Sequence, residues 1–105
     1  MMRISGDTAF RLLANRHRRR FLLRFTDIDP NEEVAVPDDL AFLGEDMETI
    51  ATELQHTHLP MLSEAGVVDW DRGASTVRRG PLFDELEPLL ALLIERRDRL
   101  PDEWF

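Results

Sequence analysis

The chain has 105 residues, enough for one domain with a modest hydrophobic core but little for a deep catalytic cleft. It has no cysteine, which excludes disulfides and thiolate metal sites. The start does not resemble a signal peptide, and the longest apolar run, residues 89–94, is far shorter than the roughly 20 residues of a membrane span. We therefore expect a soluble, cytoplasmic protein without a membrane association or a cofactor.

The charges are unusual in kind and in distribution. All 13 basic residues are arginine, against 21 acidic residues, for a net charge of −8. Residues 1–24 carry seven Arg and one Asp, residues 25–69 carry twelve acids and no Arg, and residues 70–105 carry six Arg and eight acids. An acidic surface without lysine suits molar salt, where the Debye length is only ~3 Å. We expect a halophilic source, the alternative being an ordinary acidic composition.

The first part of the chain predicts two helices, at about residues 7–14 and 15–25, with Asn15 as the N-cap of the second. Their buried positions are expected to be Ala9, Phe10, Leu13, Ala14, Phe21, Leu22 and Phe25. A polar turn follows, then a very short strand at Val34 and Val36, and a short helix at about residues 38–43.

The next predicted helix, at about residues 46–65, is the longest before the hairpin. One face carries Met47, Ile50, Leu54, His58, Met61, Leu62 and Ala65. Pro60 predicts a kink or break near His56, because proline has no amide hydrogen and clashes with the preceding turn. His58 is expected in the core and His56 on the surface. Two histidines so placed do not share a metal ion, and we expect no metal site.

A glycine and a hairpin follow this helix. Gly66 stands where a left-handed C-cap belongs, and residues 67–79 predict two short strands around a turn at residues 71–74. Trp70 is expected to pack between the hairpin and the helix. This succession of helix, glycine and hairpin is typical of the end of a winged helix-turn-helix domain.

The last predicted helix, at about residues 82–99, has apolar residues over more than half of its circumference. A surface helix of a monomer needs a stripe of only ~100°, so we expect a second buried side in a homodimer. The predicted dimer interface consists of Phe10, Leu86, Leu89, Leu90 and Leu93. A central helix within the monomer is the alternative.

Two segments resemble ArsR-type winged-helix regulators: residues 58–68 (HLPMLSEAGVV) resemble the end of their recognition helix, and residues 12–22 (LLANRHRRRFL) resemble their opening. Most closely, the chain resembles small haloarchaeal winged-helix domains of unestablished function, through HLPxLxEAGVVDxD…TVRxGP at residues 58–81. The resemblance implies a single mostly helical α+β winged-helix domain over residues 1–105, with a hairpin wing and a C-terminal dimerisation helix. Metal-sensing relatives use cysteines, or histidines in the last helix, and this chain has neither.

The resemblance implies a DNA-binding transcriptional regulator of a halophilic archaeon, with double-stranded DNA as its partner. Arginines would contact phosphates, and polar side chains of the long helix would read base edges. The candidate DNA-binding residues are Arg16, Arg18, Arg19, Arg20, Thr52, Gln55, His56, Arg72, Arg78 and Arg79. Alternatively, these arginines pair with carboxylates in a solvated surface network.

No nucleophile elbow, phosphate-binding glycine loop or distinctive carboxylate pair is present, so we do not expect an enzyme. The rival to DNA binding is a protein-interaction module of the same fold. It would bind its partner through Glu48, Glu53 and Glu64 and an exposed Leu59. The two hypotheses differ in whether basic or acidic side chains dominate the surface around His56.

Overall fold

The computed structural model describes residues 3–36 and 47–105 and has a small, mostly helical α+β fold. The predicted helix at residues 38–43 lies outside the described residues. The elements are α1 (Gly6–Leu13), α2 (Arg16–Arg24), β1 (Val34–Ala35), α3 (Met47–Glu53), a π-helical turn (Leu54–His58), α4 (Leu59–Glu64), β2 (Val68–Asp71), β3 (Thr76–Arg79), α5 (Phe83–Glu95) and 3₁₀ turns at Arg97–Arg99 and Asp102–Trp104.

The first two helices begin at polar capping residues. The Ser5 side chain accepts a hydrogen bond from the Thr8 amide, and the Asn15 side chain accepts from the amides of His17 and Arg18. Each cap provides an acceptor for amides that have no partner within the first turn of a helix. The prediction that Asn15 caps α2 is confirmed.

The long helix, residues 47–64, is interrupted by the π-helical turn. The amide of Leu59 donates to the carbonyl oxygen of Leu54, five residues back, and Pro60 follows directly. The predicted interruption near His56 is confirmed, and it is a π turn that adds one residue to the helix. The extra residue shifts the following side chains by about 100° around the axis. Leu59 is therefore fully buried, and the prediction that it is exposed is wrong.

The sheet is antiparallel, with strand order β1-β3-β2, and Val77 of the central strand pairs with Val34 on one side and Trp70 on the other. Gly66 has a φ of 80° at the end of the long helix, which confirms the predicted left-handed cap. The amide of Gly80 donates to the carbonyl oxygen of Val67 at 3.0 Å, so the end of the hairpin returns to its beginning.

Helices and sheet share one core. Its largest fully buried side chains are Phe21, Phe25, Phe83, Leu12, Leu22, Leu54, Leu59, Leu62, Leu86 and Leu90. Leu86 and Leu90 therefore belong to the core of the single chain, and their assignment to a dimer interface is wrong. The last helix is also shorter than predicted, because α5 ends at Glu95 and a separate 3₁₀ turn covers Arg97–Arg99.

Candidate nucleic-acid interface

The long helix and the hairpin meet at a small cavity of about 120 Å³, which is lined by Val36, Ala51, Gln55, Trp70, Arg72 and Ser75. Trp70 packs against the core from here, as predicted. The guanidinium carbon of Arg72 lies 4.2 Å from the centroid of the Trp70 ring. This cation–π contact holds an exposed arginine beside the helix. The fold thus brings together two predicted site residues, Gln55 and Arg72.

The hairpin turn gives Arg72 a defined position. The amide of Ala74 donates to Oδ1 of Asp71 at 3.0 Å, and Ser75 has a φ of 56°. A short acidic side chain that accepts from the turn backbone is common in tight turns. The turn therefore connects β2 and β3 with Arg72 at its exposed end.

The exposed face of the long helix carries polar and acidic groups. Thr52, Gln55 and His56 are exposed, and the Thr52 hydroxyl donates to the carbonyl oxygen of Glu48 at 3.0 Å. Glu48 and Glu53 are exposed nearby along the chain. The face therefore offers amide, imidazole and hydroxyl groups suited to base edges, in an acidic setting.

Arg18, a predicted DNA contact, is buried. Its side chain is 7% exposed; Nε donates to the carbonyl oxygen of Leu12 at 2.8 Å and Nη2 to that of Arg11 at 2.9 Å. Nη1 lies 3.2 Å from Nδ1 of His58. These contacts place Arg18 inside the domain, where it cannot reach a phosphate, so its assignment to the DNA surface is wrong.

Arg19 and Arg16 also bind main-chain oxygens. Arg19 donates to the carbonyl oxygens of Leu13 and Trp104, at 2.7 and 2.9 Å. Arg16 donates to the main-chain oxygen of Phe105 through Nε and Nη2, at 3.2 and 3.0 Å. These two arginines fasten residues 104 and 105 to the beginning of α2.

Arg18 and Arg19 bind main-chain oxygens because the end of α1 lies beside them. The last carbonyl groups of a helix have no partner within it and carry the negative end of its dipole. Helix α2 follows α1 after a two-residue connection, and Arg18 and Arg19 in its first turn supply the missing donors. The signal in the sequence is an arginine run within the turn that follows a helix end, although such a run also predicts a charged surface.

The arginines of the hairpin differ from one another. Arg79 donates to Oε2 of Glu87 at 2.9 Å and to the carbonyl oxygen of Phe25 at 2.6 Å, and its guanidinium lies 4.5 Å over the Phe83 ring. Its side chain is only 12% exposed. Arg79 therefore joins β3 to α2 and α5, and its assignment to the DNA surface is also wrong.

Arg78 and Arg20, two further arginines of the predicted site, differ in their exposure. Arg78 is exposed and forms an ion pair with Glu33 at 2.5 Å, a contact that connects β3 to the residue before β1. Arg20 lies in α2 and is partly buried. Arg72 is therefore the predicted arginine that combines exposure with a position beside the polar helix face.

The predicted core histidine is confirmed, since His58 is 4% exposed, whereas His56 is exposed. Within residues 3–36 and 47–105, no three side chains of His, Asp or Glu come together in a way that could hold a metal ion.

An apolar groove lies between α1 and the C-terminal part of the chain. It has a volume of about 350 Å³ and is lined by Phe10, Leu13, Arg19, Leu89, Leu93 and Trp104. Phe10 is 67% exposed and Trp104 is 43% exposed, although both are large apolar side chains. Ala14 is exposed as well, so the expectation that Phe10 and Ala14 are buried is wrong. Of the predicted dimer residues, Phe10, Leu89 and Leu93 therefore share one accessible surface.

The structure thus defines a small α+β domain with a polar helix face beside a hairpin, and one family model matches its middle part. Residues 31–78 match a family described as a domain of unknown function (DUF7344). The match spans β1, the long helix, Gly66 and most of the hairpin. No curated protein and no solved structure matches the chain. None of the helices in the described part of the chain is long and apolar enough to cross a membrane.

Proposed function

We propose that the protein is a DNA-binding winged-helix protein that regulates transcription in a halophilic archaeon. One observation carries the proposal: Gln55 of the long helix and Arg72 of the hairpin line the same small cavity. In a winged helix, the recognition helix reads bases while the wing contacts the flanking backbone. A single surface with a base-reading amide and a phosphate-binding guanidinium suits both tasks.

In this proposal, the helix from about Thr52 to residue 65 enters the major groove. Gln55 reads an adenine edge through its amide, while His56 and Thr52 contact neighbouring bases. Arg72 contacts a phosphate, supported by its stacking on Trp70. Molar salt screens the exposed carboxylates of the same face, because the Debye length there is shorter than the width of the helix.

We further propose that two copies associate through the groove between α1 and α5. Phe10, Leu89, Leu93 and Trp104 supply its apolar surface, and an isologous contact would cover the exposed Phe10 of both copies. A two-fold dimer presents two recognition helices, which suits a palindromic operator.

Selection from fragmented genomic DNA of the source organism, in molar KCl, tests the proposal. Wild-type protein is expected to recover a few fragments selectively, and the double variant Gln55→Ala/Arg72→Ala is expected to lose that selection. Arg99→Ala is the matched control, because Arg99 is an exposed arginine in a separate turn after α5. Equal recovery by the folded double variant and by the wild type would contradict the proposal.

A protein-interaction module remains a second candidate, because Glu48, Glu53 and Glu64 are all exposed on the long helix. It no longer has the apolar contact assigned to Leu59, which is buried. If folded wild-type protein enriches no DNA, the next experiment is crosslinking of this acidic face to proteins of the same cells. Loss of the crosslinked partner on Glu53→Gln/Glu64→Gln substitution would support the module.

A further inference from the structure

Arg18 and His58 form a buried contact between α2 and the π turn of the long helix. They are 7% and 4% exposed, and Nη1 of Arg18 lies 3.2 Å from Nδ1 of His58. The other two nitrogens of the guanidinium, Nε and Nη2, each donate to a carbonyl oxygen at the end of α1, at 2.8 and 2.9 Å. Arg18 is therefore held in place, and its third nitrogen, Nη1, faces the imidazole.

The chemistry of this contact fixes the protonation of the histidine. A guanidinium has only donors and stays charged in proteins, so Nδ1 of His58 has to accept the hydrogen bond. The ring is then neutral, with its proton on Nε2. That nitrogen is buried and has no hydrogen-bond partner among the described residues. A second proton, placed on Nδ1, would remove the acceptor and bring two cations to about the distance of the present hydrogen bond.

We propose that Arg18 and His58 are an acid-sensitive latch: the neutral ring fastens the π turn to α2, and protonation of His58 releases it. The π turn is the point where the extra residue sets the rotation of the long helix, and it carries Gln55, His56 and Thr57 on its exposed side. Release of the latch therefore frees the segment that presents these three side chains. This device does not depend on DNA binding, because its state is a property of the free protein.

The charged and titratable groups around His58 act mainly in one direction. Burial lowers the pKa of His58 from its ordinary value of about 6.5, and the nearby Arg18 and His17, both from α2, lower it further. Glu53 of α3 opposes them and raises the pKa in part. The His17 ring lies 6.5 Å from that of His58, and its Nδ1 is also buried without a partner in the described part of the chain.

The sign of the pH effect follows from this lowered pKa. Above about pH 7.5, His58 is neutral in both the folded and the unfolded chain and contributes nothing to pH dependence. As the pH falls through about 6.5, the unfolded chain takes up a proton and the folded chain does not, so the folded state loses stability. The loss continues until the pH reaches the lower pKa of the folded protein.

Two measurements on the wild-type protein test the latch. A long-range ¹H–¹⁵N spectrum of the histidine rings is expected to show His58 with its proton on Nε2, and titration is expected to show its pKa below the ordinary value of about 6.5. Unfolding by urea, measured from about pH 8 to about pH 5, is expected to show proton uptake on unfolding as the pH falls below about 6.5.

Two variants test whether the proton uptake on unfolding comes from the Arg18–His58 contact. His58→Gln retains a side-chain acceptor for Arg18 but does not titrate, so it is expected to remove up to one proton from the uptake. His56→Gln is the matched control, because it removes an exposed histidine of the same π turn and leaves the Arg18–His58 contact in place. A proton on Nδ1 of His58, or a His58 pKa at or above the ordinary value of about 6.5, would overturn the proposal. An unchanged pH dependence in folded His58→Gln would overturn it as well. The wild-type spectrum decides the question even if this variant does not fold.

Discussion

The junction of the long helix, the hairpin and α5 provides the sharpest test of the fold, through Gly80→Ala. A Cβ at residue 80 would lie 2.5 Å from the carbonyl oxygen of Gly66, 2.7 Å from the amide nitrogen of Val68 and 2.9 Å from the carbonyl carbon of Val67. All three are backbone atoms, so none can rotate away as a side chain would. The φ of Gly80 is not in the left-handed region, so the expected effect is steric.

The expected loss of unfolding free energy depends on how far the backbone around Gly66, Val67 and Val68 has to move away from the new Cβ. Overpacking at a rigid site costs about 1–3 kcal/mol. Separating these segments also strains the Gly80–Val67 hydrogen bond of 3.0 Å and the bond of 2.8 Å from the Leu82 amide to the Gly66 oxygen. Each of them contributes about 1 kcal/mol. We expect Gly80→Ala to lower the free energy of unfolding by about 2–4 kcal/mol, a large share of the roughly 5–15 kcal/mol of a typical domain.

Urea unfolding in molar KCl, followed by far-UV circular dichroism at one protein concentration, measures this loss. Gly73→Ala is the matched control, because a Cβ there would meet only a side-chain oxygen of Asp71 at 3.5 Å. The control is expected to stay within about 0.5 kcal/mol of the wild type. Equal midpoints and slopes for the two variants would refute the close approach at Gly80.

Three further predictions concern the left-handed cap at Gly66, the apolar groove and Arg72 of the hairpin. Gly66→Ala is expected to lower the free energy of unfolding by about 1–2 kcal/mol, because Gly66 has a left-handed φ and a Cβ there would lie 3.1 Å from the Leu82 side chain. Gly66→Asn should cost less, since asparagine tolerates a left-handed φ better than alanine, and equal losses would contradict this. Phe10→Asp/Leu93→Asp is expected to convert a dimer to a folded monomer in sedimentation velocity, and a monomeric wild type would refute the proposed dimer. For any DNA fragment selected, log K against log [KCl] is expected to have a slope of about −2 for a dimer with one Arg72 phosphate contact per copy. Arg72→Ala should flatten that slope, and a wild-type slope several times steeper would show that other arginines reach the phosphates.

Local chemistry made much of the fold predictable. Asn15 as a cap and Gly66 as a left-handed stop each follow from a single residue whose backbone preference is strong. Pro60 correctly marked an interruption near His56, but a missing amide can be accommodated by a kink, a break or a wider turn. Only the structure distinguishes a π turn, and that turn decides that Leu59 faces the core. A fixed angle of 100° per residue fails beyond such a point.

The arginines limited the prediction of the site, because their partners are distant in sequence or are backbone atoms. Arg79 contacts Phe25 and Glu87, and Arg16 contacts Phe105 across 89 residues. Every residue has a main-chain carbonyl oxygen, so no pattern of residue types predicts which carbonyl at a helix end will accept a hydrogen bond from an arginine. In a chain without lysine, arginine has to provide both the internal donors and any cationic surface. Its planar guanidinium suits the internal task, because it can satisfy several carbonyl groups at once. The net charge of a segment therefore overstates the cations available to a ligand, and Arg72 is the candidate that the fold leaves beside the polar helix face.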